Sequence, residues 1–116
     1  MERGEIWWAQ NPPPSAGNGK HGRRMVVLLS WDAGTGIRDR VTVAPITTQI
    51  RGLDAEVSLD QNDGMARPCV ANCDTLATVF YSTLEQRVTS LSDEKVRQLE
   101  RAIHEALGIE LPCTIR

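Results

Sequence analysis

Short runs of branched and aromatic residues recur along the chain, with polar residues, glycines or prolines between them. Such runs favour β-strands because these side chains pack well on a pleated surface, whereas the residues between them favour turns. Short strands at this close spacing predict a small barrel, and we expect a single domain over residues 1–116. The predicted strands cover six stretches: 4–9, 23–30, 41–46, 56–59, 69–73 and 87–91.

The second and third stretches have features that bear on their place in the sheet. The second is apolar at every position from Met25 to Leu29, which is typical of a central strand covered on both faces. The third carries Pro45 near its end, as expected for a residue that has no N–H to donate. Residues 11–22, between the first two stretches, hold three prolines and three glycines. That composition predicts a long loop, and long loops in small domains are often functional.

The last predicted element has a helical period. Apolar residues from Val96 to Leu107 fall on one face at helical spacing, and charged residues cover the others. Ser92 is placed to cap the N-terminus, and Gly108 can end the helix in the left-handed conformation. The predicted fold class is therefore mainly β with a C-terminal α-helix.

Composition narrows the possible classes of function. No segment approaches the roughly 20 apolar residues that span a bilayer, so we expect a soluble, cytoplasmic protein. Cys69, Cys73 and Cys113 form no CxxC pair, and with only His21 and His104 in addition they predict reduced thiols rather than a disulfide or zinc framework. We therefore expect no metal and no cofactor.

The formal net charge of −2 is unusual for a nucleic-acid binder, because phosphate contacts depend on Lys and Arg. The charges are unevenly distributed, however. Residues 1–51 hold seven bases against four acids, and residues 52–116 hold six against eleven. This asymmetry is compatible with a basic face that binds the nucleic acid. The alternative is that basic and acidic residues are mixed over the folded surface.

Polar residues at two strand ends are the candidate chemistry. Arg23 and Arg24 open the second predicted strand, and Thr47, Thr48 and Gln49 follow the third. A guanidinium offers paired donors to a phosphate, and fixed donors can stabilise a phosphorane-like transition state. RNA supplies its own nucleophile in the 2′-hydroxyl, so orientation and charge stabilisation would suffice for cleavage. The alternative is that the arginine pair only guards a solvated strand edge.

Four segments in register resemble the MazF/PemK family of toxins. The opening Met1 to Trp7 is similar to the family's Arg-Gly-Glu/Asp and aromatic strand. Gly22 to Ser30 resembles its Gly-x-Arg-Pro strand, with Met25 in place of the proline, and Val41 to Gln49 resembles its Val-Ala-Pro-x-Thr-Ser/Thr segment. Leu84 to Ile109 matches the closing strand and helix.

The resemblance implies an SH3-like barrel, a homodimer, and a metal-independent endoribonuclease that cuts single-stranded RNA at short motifs and inhibits growth. It implies 2′-hydroxyl attack, with 2′,3′-cyclic phosphate and 5′-hydroxyl products. It also implies a cognate MazE-like antitoxin, a short protein with an acidic tail that lies across the basic groove.

Site residues follow from the same resemblance. Arg24 matches the catalytic arginine that stabilises the phosphate charge, and Thr47 matches the threonine that positions the scissile phosphate. Asp74 falls where PemK-like members carry an acid that acts as a base toward the 2′-hydroxyl, although Phe80 replaces a common aspartate. Six further residues are expected to contact RNA: Lys20, His21, Arg23, Thr48, Gln49 and Asn72.

Several other residues have structural interpretations. Trp7 and Trp8 are adjacent on one strand and must point to opposite faces, where core or dimer packing is expected. Phe80 and Tyr81 are expected to pack rather than to stack on bases, and His104 is expected to be a structural helix residue.

Two other functions use the same barrel. A CcdB-like toxin binds a protein target such as gyrase and cuts no RNA. An SH3-like interaction module needs aromatic groove walls, for which an aromatic content of 4% is low. Incubation with RNA in chelator distinguishes these functions from RNA cleavage.

Overall fold

A computed structural model describes residues 2–10, 23–30 and 39–109 of the chain. Within these ranges, three 3₁₀ turns lie at Gln61–Asp63, Cys73–Thr75 and Tyr81–Thr83. The strands and the helix are β1 (Glu5–Gln10), β2 (Arg23–Leu28), β3 (Arg40–Thr47), β4 (Glu56–Leu59), β5 (Cys69–Asn72), β6 (Ala77–Phe80), β7 (Leu84–Ser90) and α1 (Asp93–Leu107). The predicted fold class, mainly β with a C-terminal helix, is confirmed.

The described strands pair antiparallel in the order β4-β5-β3-β2-β1-β7. The eight-residue strand β3 is the centre of this arrangement, because one of its edges pairs with β2 while β5 and β6 share the other. A strand that pairs with two partners along one edge lets the sheet bend sharply, which is how a small barrel closes.

Two apolar clusters lie on opposite faces of β1, β2 and β3. The first cluster, which includes Ile6, Val27, Ala44 and Leu99, fills the space between the sheet and α1. The second cluster consists of Ala9, Val26, Leu28, Val41, Val43 and Val79, with Trp7, Ala77, Tyr81 and Leu84 packed against it. Apolar residues on both faces explain the unbroken apolar run of β2, as predicted.

The helix begins and ends at its predicted residues. The Ser92 hydroxyl accepts the Lys95 N–H at 3.2 Å, and Gly108 ends the helix with a φ of 71°. His104 Nδ1 lies 2.8 Å from the Glu100 carbonyl oxygen, one turn back, in agreement with its predicted structural role. No helix in the described ranges is long and apolar enough to cross a membrane.

The structure corrects several predicted boundaries. Strand β6 was not predicted, because its four residues are held by pairing with β3 and not by a pattern of their own. Strand β7 begins at Leu84, three residues before the predicted start, because Leu84 pairs with Ala9. Cys73 begins a 3₁₀ turn instead of ending a strand. The glycine-rich loop with Lys20 and His21, and Cys113, lie outside the described residues.

The aromatic predictions have mixed outcomes. Trp7 packs against the second cluster while Trp8 lies under the Arg23 guanidinium, so the two do face opposite sides. Tyr81 packs against the second cluster, as expected. The packing prediction for Phe80 is wrong, because the residue is 50% exposed, and the Arg40 guanidinium lies over its ring, 5.2 Å from the centroid.

Candidate active site

Arg24 and Thr47 are brought to one face of the sheet by the register between β2 and β3. Val26 lies opposite Pro45 in this antiparallel ladder, and extending the register by two residues aligns Arg24 with Thr47. Side chains two positions apart on a strand share a face, so both groups stand on the face that carries Val26 and Pro45. The ladder between β2 and β3 ends at Val26 and Pro45, so the Arg24 and Thr47 side chains lie on the same face just beyond its end.

Arg24 is available for an anionic ligand. It is half-buried, and its side chain forms no ion pair or hydrogen bond with any residue in the described ranges. Other arginines are engaged: Arg3 bonds Glu100 at 2.7 Å, and Arg23 bonds Glu85 at 2.9 Å. A partly desolvated guanidinium without a carboxylate partner attracts a phosphate more strongly than one already neutralised.

The hydroxyl of Thr47 already has a hydrogen bond that orients it. Its oxygen accepts the backbone N–H of Gln49 at 3.1 Å. Because that lone pair is occupied, the hydroxyl proton remains free to be donated to another acceptor. Thr47 therefore offers one oriented donor on the sheet face that carries Arg24.

Asp74 lies in an interruption between β5 and β6. Ala71 of β5 pairs with Ile46 of β3, and Ala77 of β6 pairs with Val43 of β3. The five residues between Ala71 and Ala77 therefore lie opposite only the two residues of β3 between Val43 and Ile46. One of those two is Pro45, which has no N–H to continue a ladder. The extra residues form the 3₁₀ turn Cys73–Thr75, in which Asp74 is exposed. The acid predicted by the resemblance is thus at the surface, beside the strand that carries Thr47.

Asn72 holds this turn in place. Its side-chain oxygen accepts the Asp74 N–H at 2.9 Å, and its backbone carbonyl accepts the Thr75 hydroxyl at 3.5 Å. The residue is only 8% exposed. The observed contact of Asn72 is therefore a cap that positions Asp74, while its predicted contact with RNA remains a prediction.

Arg23 lies on the opposite face from Arg24, since neighbouring residues on a strand alternate. Its guanidinium is stacked 4.7 Å from the centroid of the Trp8 ring and is paired with Glu85. To contact RNA on the Arg24 face, the Arg23 side chain would have to extend around the end of β2 to the other side of the sheet. The structure therefore does not bring the two arginines together, and an RNA contact of Arg23 remains a prediction.

Thr48 and Gln49 extend the site beyond β3, and both are exposed. Lys20 and His21 lie outside the described residues, so their predicted RNA contacts also remain predictions. Glu56 was not predicted from the sequence: it lies opposite Asn72 in the β4–β5 ladder and accepts backbone hydrogen bonds from the loop after Thr47. A single glutamate at a strand start gives no sequence signal for such contacts.

The cysteines in the described ranges are poorly suited to chemistry. Cys69 and Cys73 are free and buried, and burial raises the pKa of the Cys73 thiol to about 11. A thiol with that pKa stays protonated near neutral pH and is a weak nucleophile. Within the described ranges, no three His, Cys, Asp or Glu side chains come together as metal ligands.

Comparisons with known proteins identify the family and the fold of the chain. A family model described as the PemK-like, MazF-like toxin of type II toxin-antitoxin systems matches residues 2–107. The probable endoribonuclease MazF5 of Mycobacterium tuberculosis is 37% identical over 113 residues, covering 97% of this chain and 94% of the relative.

Solved structures show the same fold. The Mycobacterium tuberculosis toxin MazF-mt6 is 30% identical with a TM-score of 0.78, over 92% of this chain and 99% of that one. A mycobacterial endoribonuclease in complex with its cognate antitoxin has a TM-score of 0.78 at 19% identity, over 97% and 99% of the two chains. These likenesses confirm the predicted barrel of the MazF type. The curated relatives named as endoribonucleases favour RNA cleavage over the CcdB-like alternative.

Proposed function

Because the chain belongs to the PemK-like, MazF-like family of type II toxins, we propose that it is an endoribonuclease toxin that cuts single-stranded RNA. What supports this function is that a half-buried arginine, whose side chain has no partner among the described residues, shares a sheet face with an oriented threonine hydroxyl. A guanidinium and a hydroxyl on one face can both donate to the non-bridging oxygens of a phosphodiester.

The proposed reaction uses the substrate's own nucleophile. The Asp74 carboxylate takes the proton of the 2′-hydroxyl, whose oxygen attacks the adjacent phosphorus. The bond from phosphorus to the 5′-oxygen breaks, and that oxygen leaves as a 5′-hydroxyl with a proton from Arg24 or water. The remaining strand ends in a 2′,3′-cyclic phosphate. Arg24 and Thr47 stabilise the negative charge that grows on the phosphoryl oxygens during attack.

Each of these roles agrees with the environment of its residue. Asp74 is exposed, so an entering ribose can reach its carboxylate, and the Asn72 cap restricts where that carboxylate stands. Thr47 and Arg24 belong to paired strands, whose backbones fix donors more precisely than loops do. The reaction requires no metal ion, because charge stabilisation comes from the guanidinium and the nucleophile comes from RNA.

We also propose the partners and the location of the protein. A type II system includes a protein antitoxin, and an acidic segment that covers Arg24 would block the phosphate site. We expect a homodimer, as the family resemblance implies, and action in the cytoplasm, where messenger and ribosomal RNA are available.

Cleavage by purified protein in the presence of chelator tests the proposal. We expect wild-type protein to cut single-stranded RNA with EDTA present and to leave ends that are cyclic-phosphate and 5′-hydroxyl. Arg24→Ala is expected to lose at least about 10²-fold in cleavage rate while remaining folded, because its guanidinium acts mainly in the transition state. Arg97→Ala, which removes an exposed helix arginine paired with Glu94, is the matched control.

Different outcomes test the role of Arg24 and the proposed function. Full cleavage by Arg24→Ala would overturn the assigned role of Arg24. A wild-type protein that binds a protein target and leaves RNA intact under these conditions would overturn the proposed function itself.

A further inference from the structure

The segment between β3 and β4 is an exposed loop held at both ends by side chains. At its start, Thr47 accepts the Gln49 N–H at 3.1 Å. At its end, one oxygen of Glu56 accepts three successive backbone N–H groups: those of Arg51 at 3.1 Å, Gly52 at 2.9 Å and Leu53 at 3.3 Å. The Leu53 carbonyl in turn accepts the Glu56 N–H at 3.0 Å. We refer to residues 48–53 as the latched loop.

The three N–H groups converge because of the backbone at Gly52. Its φ of 75° lies in the left-handed region, where successive N–H groups point toward one concave site. Such a concavity binds anions, and here the anion is the chain's own Glu56 carboxylate. Glu56 starts β4 and lies opposite the buried Asn72 in the ladder with β5, so it is fixed to the sheet. The loop is therefore tied to the strands of the candidate site.

The side chains that the latched loop presents have no structural task in the described fold. Thr48, Gln49, Ile50 and Arg51 are all exposed, and the apolar Ile50 side chain is 55% exposed. An amide, an apolar surface and a guanidinium are the groups that bind base edges, base faces and phosphates of unpaired RNA. These groups follow directly after Thr47, so their positions relative to the scissile phosphate depend on the loop conformation.

We propose that Glu56 is a positioning residue for substrate selection, which holds the latched loop so that Gln49, Ile50 and Arg51 contact the nucleotides beside the cleaved phosphate. The inference rests on the proposed function, because it takes single-stranded RNA as the ligand. Glu56 does not touch the reacting atoms. It acts through the loop, so its loss raises KM and broadens the set of cut sequences while the chemical step is retained.

The test compares Glu56→Ala and Glu56→Gln with a matched control. Glutamine keeps an acceptor oxygen at the same position and is expected to fall between alanine and wild type. Asp54→Ala removes an exposed carboxylate two residues away that accepts none of these N–H bonds within the described ranges. One measurement is hydrogen exchange at the amides of Arg51, Gly52 and Leu53, with amides of α1 as the internal reference.

The second measurement is RNA cleavage. Steady-state kinetics use a short single-stranded oligonucleotide that contains the cut sequence of the wild type, and fragment ends are mapped on total RNA. For Glu56→Ala we expect faster exchange at the three amides, a KM raised about tenfold and a kcat within about threefold of wild type. The mapped cut sites should become more varied. Asp54→Ala should match wild type in all four readouts.

Three outcomes would overturn the inference. Unchanged exchange would mean that Glu56 does not hold the loop, and faster exchange with unchanged KM and cut sites would mean that the latch is structural only. A loss confined to kcat would place Glu56 in the chemistry instead. If wild-type protein cuts no RNA, the proposed function fails first, and the exchange data still report on the latch. Glu56→Gln supplies the same comparison should the alanine variant fail to fold.

Discussion

The hydroxyl of Thr47 gives the sharpest test of the phosphate site, because its two hydrogen-bonding roles differ greatly in their energetic weight. Thr47→Val keeps the branched shape that suits a strand and removes only the hydroxyl. The change deletes the acceptor for the Gln49 N–H and, in the proposed site, one donor to the phosphate.

The two losses have different expected magnitudes. Gln49 is exposed, so water can replace the lost acceptor, and a neutral hydrogen bond of this kind contributes about 0.5–1.5 kcal/mol. A preorganised donor aimed at developing charge is worth about 10²–10³ in kcat, or about 3–4 kcal/mol. We therefore expect Thr47→Val to lower the cleavage rate about 10²-fold or more, while its free energy of unfolding changes by about 1 kcal/mol or less.

Thr47→Ser supplies the matched control, since serine keeps both the donor and the acceptor. It should retain cleavage within about tenfold of wild type. Single-turnover cleavage of a labelled oligonucleotide measures the chemical step, and urea unfolding measures stability. A valine variant that cleaves within threefold of wild type, or a serine variant that loses as much cleavage as the valine variant, would refute the phosphate contact of Thr47.

Two further predictions concern the fold. Gly4 has a φ of 96°, and a Cβ there would lie 2.6 Å from Val96 Cγ2, so Gly4→Ala should lose about 2–4 kcal/mol of unfolding free energy. Gly108 has a φ of 71° and open space around it, so Gly108→Ala should lose only about 1–2 kcal/mol of unfolding free energy. Equal losses for the two variants in urea unfolding would contradict the clash at Gly4. Burial raises the pKa of Cys73 from 9.0 to about 11. The thiol therefore loses its proton at a lower pH in the unfolded chain than in the folded one, and its contribution to stability is lost as pH rises from 9 to 11. Cys73→Ser should show a smaller fall in stability than wild type across that interval, and identical falls would show that the thiol is not the cause.

The sequence predicted the strands that have a pattern of their own. β4 was predicted at its exact limits, and β1, β2, β3 and β5 within a few residues, because branched runs between turn residues specify a strand locally. The helix was specified even more fully, since periodicity, Ser92 and Gly108 all mark the same segment. Strand β6 was missed because four residues carry too little pattern, and it exists only through its ladder with β3.

The candidate site was predictable to a similar extent. The placement of Arg24 and Thr47 on one sheet face follows from two antiparallel strands that are consecutive in the chain, because the start of β2 lies near the end of β3. The role of Asn72 as a cap for Asp74, and that of Glu56 in the latched loop, depend on backbone positions that no residue pattern encodes. Phe80 was expected to pack, but it alternates with the buried Val79 on β6, so its ring is on the opposite, exposed face.

The interruption of the sheet beside Pro45 links the fold to the proposed chemistry. If the β5 ladder continued past Ala71 in its register with Ile46, Asp74 would lie opposite Val43. Val43 is fully buried in the second cluster, so the carboxylate would be forced among apolar side chains, at a cost of several kcal/mol or loss of its charge. The three additional residues between β5 and β6 keep Asp74 in solvent, and the missing N–H of Pro45 removes one hydrogen bond that would favour the continuous ladder. The irregularity in the sheet thus lets the Asp74 carboxylate stand in solvent next to a strand whose apolar side chains form the core.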